Sequence, residues 1–151
     1  MMKQSSALFT IIHGPNLNEL GSREVNIYGT ETLDNINKKI SAHARKRQIS
    51  TDFFQSNHEG DIIDKIHTLK NGDCKGMIIN GAAFTHTSIA IRDAVSCSNI
   101  PTVEVHLSNI HAREPFRTQS YLTAVCIGII SGFGSSSYTL AVDALVEHLN
   151  L

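Results

Sequence analysis

Residues 102–117 read TVEVHLSNIHAREPFR, a short β-branched run that stops abruptly and hands over to histidines, a serine, an asparagine and two arginines. A strand of a parallel sheet has this look when its carboxyl end opens into a ligand crevice. Within it Glu104 and His106 offer an acid or a base, Ser108 and His111 offer hydrogen-bonding groups, and Arg113 and Arg117 offer two fixed positive charges. Such a set suits a small, oxygen-rich, anionic substrate.

A second polar stretch, GPNLNELGSREVNIYG, lies early in the chain and carries Asn16, Glu19, Arg23 and Tyr28. A tyrosine is a poor base at neutral pH because its ordinary pKa is about 10. A guanidinium close to the phenolic oxygen favours the charged form, so an arginine and a tyrosine together can make a phenolate base. Taken alone, Tyr28 reads first as a half-buried anchor and only second as a base. His106 stands two residues after Glu104, on the same face of a strand, which is how a carboxylate orients an imidazole for proton donation. A strand-end histidine satisfied by its neighbours is the other reading.

Other chemistries lack their parts. The eight histidines form no HExxH, and no paired Cys/His pattern suggests a metal. The glycines of GIISGFG, residues 128–134, come too late and at the wrong spacing for a dinucleotide fingerprint, and GxxxxGK[ST] is absent. No GxSxG elbow surrounds a serine.

These groups need a scaffold, and strand-like and helix-like patterns alternate along the whole chain. Strands are expected at 7–13, 49–55, 76–80, 102–107 and 124–130. Helices are expected around Leu33, Ile36, Ile40 and Ala44 after the cap Thr32; around Ile62, Ile63, Ile66 and Leu69, ending at Asn71-Gly72; over 88–96; and over 137–150, burying Leu140, Leu145, Val146 and Leu149. Alternation of this kind predicts an α/β, flavodoxin-like three-layer sandwich with a five-stranded parallel sheet. In it the loops after strands one to four meet at one edge, bringing together GPNLNELGSREVNIYG, QSNHEG, NGAAFTHTS and HLSNIHAREPFR. The connection from His13 to Glu31 is long for a compact domain, and its composition reads as functional.

At 151 residues the chain suits a single domain, 1–151, that buries roughly two-thirds of its unfolded surface. Its 13 basic and 14 acidic side chains nearly cancel without long blocks, which speaks against nucleic acid or an anionic membrane as partner. Cys74, Cys97 and Cys126 stand singly, an odd number that resists a disulfide framework and points to a reducing cytoplasm. The first residues, MMKQSSALFTIIHG, are too short an apolar run for a signal or a span.

Read together, GPNLNELGSREVNIYG, FFQSNHEGDIIDKIH, FTHTSIAIRDA and VEVHLSNIHARE resemble type II 3-dehydroquinate dehydratase, from about Ala7 to Leu149. The resemblance implies reversible trans-dehydration of 3-dehydroquinate to 3-dehydroshikimate through an enolate, in the shikimate or quinate pathway, with no cofactor, metal or Schiff base. It makes Tyr28 the base, with Arg23 stabilising the phenolate, Asn16 holding the enolate through a water, and His106, oriented by Glu104, the acid that protonates the departing C1 hydroxyl. It assigns Asn80 and His86 to substrate hydroxyls, the backbone of Leu107 and Ser108 to the carboxylate, Arg117 to the ring hydroxyls, and Arg113 to a place near Tyr28. Asp93 would reach a neighbouring subunit's site, in a trimer that assembles into a dodecamer.

Some positions depart from the family pattern. His13 replaces a usual asparagine, Val25 and Pro115 replace a common proline and glutamate, and Asn80-Gly81-Ala82-Ala83 replaces Asn-Pro-Gly-Ala. Gly81 is expected to be freer than proline, and the loop around Arg23 to close as a lid. A flavin-binding or phospho-receiver module on the same fold is the rival reading. It lacks both an acidic cluster after strand one and a Ser/Thr-rich phosphate cradle. A scaffold with a degenerate site is opposed by the joint presence of Tyr28, Arg23 and His106.

Overall fold

Apolar and β-branched runs that alternate with amphipathic segments become strands and helices in the order β1 (Leu8–His13), α1 (Val25–Tyr28), α2 (Leu33–Lys46), β2 (Ser50–Gln55), α3 (Glu59–Lys70), β3 (Cys74–Asn80), α4 (Ile89–Ser98), β4 (Thr102–His106), β5 (Gly128–Ser131) and α5 (Ser136–Leu149). This is a computed structural model, and it describes residues 6–22 and 24–151. All strand pairs are parallel, in the order β2-β1-β3-β4-β5. That is the doubly wound flavodoxin-like order, with its switch point between β1 and β3.

The central strands are buried on both faces, and so read as nearly continuous apolar runs. On one face Phe9, Ile11, Ile78, Val103 and Val105 pack with Ile36, Ile40 and Ala44 of α2 and with Tyr138, Ala141, Val142 and Leu145 of α5. On the other, Ile12, Met77 and Ile79 pack with Ile62 and Ile66 of α3 and with Ile91, Ala94 and Val95 of α4. Hydroxyl caps fix where two helices start. Thr32 Oγ1 accepts from the Asn35 N–H at 3.2 Å, and Ser88 Oγ accepts from the Ile91 N–H at 2.9 Å.

Strand register then sets the site. His13 at the end of β1 is level with Gln55 of β2 and Asn80 of β3. The chain leaves β1 and β3 at the same height, so Gly14 and Gly81 lie against each other. A Cβ on Gly14 would stand 2.5 Å from the Gly81 carbonyl oxygen, which only glycine avoids.

Three expectations are corrected. β5 begins at Gly128 and not at 124, because Ser120 Oγ accepts from the Leu122 and Thr123 N–H groups and winds Thr123–Val125 into a 3-10 turn. Leu140 is exposed and not buried, since it lies on the side of α5 opposite Tyr138, Ala141, Val142 and Leu145. Gly81 does not use its backbone freedom: its φ of −69° is one that proline shares. A Cβ there would stand 2.7 Å from Thr85 Oγ1 and 2.9 Å from a Leu122 methyl, so a larger residue would have to shift those two side chains. The left-handed residue is its neighbour Ala82, with φ +48°.

Candidate active site

Loops from the carboxyl edge of the sheet enclose one cleft of about 130 Å³. The first loop contributes Asn16 and Tyr28, the β3 loop Asn80 and His86, and the β4 loop His106, Leu107, Ser108, Arg113 and Arg117. The loop after β2 stands behind the first. Asn57 Oδ1 accepts from the Asn16 N–H at 2.9 Å and from Gln55 Nε2 at 3.1 Å. This holds Asn16 at φ +66°, a conformation asparagine tolerates better than most residues.

One wall carries a phenol with a cation on it. Arg113 Nη1 donates to the Tyr28 hydroxyl at 2.7 Å, and the guanidinium carbon lies 5.2 Å from the centre of the Tyr28 ring. The same nitrogen lies 3.3 Å from Ser108 Oγ, whereas Nε and Nη2 of Arg113 are buried with no hydrogen-bond partner among the described residues. Arg23 lies outside the described residues.

The cleft is also lined by an imidazole backed by a buried carboxylate. His106 Nε2 donates to Glu104 Oε1 at 2.7 Å, and the Glu104 side chain is wholly buried. Glu104 is further held by Ser120 Oγ at 2.7 Å and Thr123 Oγ1 at 2.5 Å. Burial alone would raise its carboxyl pKa. The hydrogen bonds from His106, Thr123 and Ser120, with the charge of His106, outweigh burial and hold it below the ordinary glutamate value. A permanent anion thus sits on Nε2, leaving Nδ1 as the imidazole's other proton position.

His86 stacks on His106 with ring centres 6.3 Å apart, and its Nδ1–H donates to the Gln119 carbonyl at 2.7 Å. Desolvation, with the neighbouring charges of His106 and Arg117, keeps its pKa below the ordinary histidine value despite the Gln119 hydrogen bond. A neutral His86 can offer Nε2 as an acceptor to a hydroxyl. Arg117 is ion-paired to Glu114 at the rim. Phenol, imidazole, amide and guanidinium therefore surround one small space. That arrangement offers both a base and an acid to one oxygen-rich anion.

Residues 7–146 match the family model described as dehydroquinase class II. The chain belongs to the class II dehydroquinase family. It is 56% identical over 148 residues to the 3-dehydroquinate dehydratase of Gloeothece citriformis, covering 98% of this chain and 95% of that protein. It is 52% identical over 140 residues to the one of Ruegeria pomeroyi, covering 93% of each. A crystal structure of type II dehydroquinase from Butyrivibrio crossotus superposes with a TM-score of 0.91 at 44% identity, covering 93% of this chain and 98% of that one. Class II dehydroquinases are α/β proteins of this flavodoxin-like architecture, as the sheet order here displays.

Two residues assigned from the sequence lie apart from the cleft. Glu104 touches it only through His106, and Asp93 is exposed on α4, paired with Arg92 at 2.8 Å. Sequence reasoning passed over Ser120 and Thr123, because hydroxyls in a non-periodic segment leave no pattern until the fold sets them on Glu104. Among the described residues, no three His, Cys, Asp or Glu side chains converge as a metal site. No helix among them is long and apolar enough to cross a membrane.

Proposed function

We propose that the protein is a 3-dehydroquinate dehydratase, a hydro-lyase that removes water from 3-dehydroquinate to give 3-dehydroshikimate in the shikimate pathway. One observation carries the reading beyond family membership. A phenol with a guanidinium on its oxygen and an imidazole with a carboxylate on its far nitrogen face the same small cleft.

In this reading Tyr28, as phenolate, takes the proton at C2, alpha to the ketone. The electron pair moves onto the ketone oxygen as an enolate. Asn16 and a water hold that charge, Arg113 brings positive charge to the Tyr28 oxygen, and Arg23 keeps the supporting role that the family resemblance gives it. The enolate then re-forms the carbonyl as the C1 hydroxyl departs, and His106 gives that oxygen a proton so that it leaves as water. Glu104 keeps the imidazole oriented, with Ser120 and Thr123 holding Glu104 in turn. The backbone of Leu107 and Ser108 receives the carboxylate, while Asn80, His86 and Arg117 hold the ring hydroxyls.

The chain is read as one domain over 1–151, acting in the cytoplasm, where its three unpaired cysteines suit a reducing solvent. It is also read as forming trimers, with Asp93 reaching a neighbour's site, that assemble into a dodecamer. Light scattering of the purified protein measures the assembly directly. The activity is tested by adding 3-dehydroquinate to purified protein and following the absorbance of the conjugated enone. Growth of that absorbance, unaltered by chelator or by borohydride, is expected. No enone under any buffer condition overturns the proposal.

A further inference from the structure

Behind the cleft, a hydrogen-bonded series joins Asn80 to three side chains that the reaction scheme does not use, Tyr138, His13 and the part-buried Asn37. The Ala82 N–H donates to Asn80 Oδ1 at 3.1 Å, and Asn80 Nδ2 donates to the Tyr138 hydroxyl at 3.0 Å. The Tyr138 oxygen lies 3.0 Å from His13 Nδ1, and His13 Nε2 lies 2.8 Å from Asn37 Oδ1. His13 and Tyr138 are fully buried, and Asn80 is 3% exposed.

This relay runs in one direction. A backbone N–H can only donate, so the Asn80 oxygen must be the atom on Ala82 and the nitrogen the atom on Tyr138. Asn37 Oδ1 can only accept, so His13 Nε2 carries the proton, and the neutral imidazole accepts at Nδ1 from the Tyr138 hydroxyl. Burial agrees, since it lowers the His13 pKa to about 4 despite the Asn37 hydrogen bond. Phe53 stacks parallel to the His13 ring at 6.4 Å, closing that side with an apolar face.

Core stability alone would be served by apolar residues of similar volume, because buried polar groups contribute little net stability even when satisfied. What the relay adds is orientation, and it ends on Asn80 and Ala82, two residues of the cleft wall. We propose that Tyr138 and His13 are positioning residues for substrate binding, locking the Asn80 amide so that its second N–H and second lone pair meet the substrate in one fixed arrangement. The inference rests on the reading of Asn80 as a substrate-holding residue. It gives the histidine at position 13 a definite duty: like the asparagine usual there, it supplies one donor and one acceptor.

Steady-state kinetics with 3-dehydroquinate on three variants tests it. Tyr138→Phe removes a single oxygen and keeps the ring packing, leaving Asn80 Nδ2 without its acceptor. It is expected to raise KM about tenfold while kcat stays within about threefold, the signature of lost ground-state binding. His13→Leu, which strips the Tyr138 proton of its acceptor, shifts KM the same way, whereas His13→Asn stays near the wild-type value. A KM within twofold of wild type in Tyr138→Phe, or equal losses in His13→Asn and His13→Leu, overturns the proposal. Nitrogen NMR of His13 supplies a readout independent of turnover: the Nε2–H tautomer is expected at neutral pH, and the Nδ1–H tautomer or an imidazolium overturns the relay. A wild-type chain that fails to convert 3-dehydroquinate would count against the activity. An active wild type with an indifferent Tyr138→Phe would count against this inference alone.

Discussion

Acidification should destabilise this protein through His13 before its carboxylates protonate. An unfolded chain carries His13 with the ordinary pKa of 6.5, whereas burial in the fold lowers it to about 4. Between those values the unfolded state binds a proton that the native state refuses, so stability falls as pH falls. It is fully present above 6.5 and spent near 4. Each pH unit crossed costs up to about 1.4 kcal/mol, or about 3 kcal/mol over the window, and about 2 kcal/mol of that is already lost by pH 5. His86, whose pKa is also held low, adds to the slope in the same direction. The carboxyls of Glu104, Asp143 and Glu114, held below their ordinary values, lose their contributions only at more acid pH. Urea unfolding of wild type and His13→Asn at pH 7.5, 6 and 5 separates these contributions, because the variant retains every group except the imidazole. Wild type should lose about 2 kcal/mol more than the variant between pH 7.5 and 5. Parallel curves for the two proteins would refute a buried, neutral His13.

Substitutions at the two walls of the cleft should act on turnover and leave the fold intact. Tyr28→Phe and His106→Ala should each lower kcat by roughly 10²–10⁴-fold, the range for a positioned acid or base, with unfolding midpoints near wild type. Glu104→Gln should lower kcat by about 10²-fold or more and also destabilise the fold, as it removes the charge that Ser120, Thr123 and His106 surround; circular dichroism melts with kinetics read both effects. Ala82→Gly should stabilise the protein by about 0.5–1 kcal/mol in chemical denaturation, since the φ of +48° strains alanine and not glycine.

Much of this was legible in the residues. β1 and β3 announce themselves as apolar runs, and α2 follows its Thr32 cap because capping and helical spacing are local signals that packing then reinforces. β5 was placed four residues early, since Ala124 to Ile127 is apolar enough for a strand, while the hydroxyl of Ser120 that winds it into a turn gives no periodic sign. Leu140 was expected inside because leucine is apolar, yet the face of α5 is decided by the group around Tyr138. For the site, the loops that carry Tyr28 and His106 stood out by composition and by resemblance. The contacts that organise them did not, because they join distant parts of the chain. Arg113 meets Tyr28 across 85 residues and His13 meets Tyr138 across 125. Such pairings exist only once strand order has brought the loops to one edge.

Division of labour between the two walls is the central claim, and hydrogen exchange at C2 of 3-dehydroquinate in D₂O tests it most directly. His106→Ala keeps the base and loses the acid, so NMR should find deuterium entering C2 while little enone forms. Tyr28→Phe should give neither exchange nor enone. Exchange in Tyr28→Phe at the rate found in His106→Ala would contradict the account.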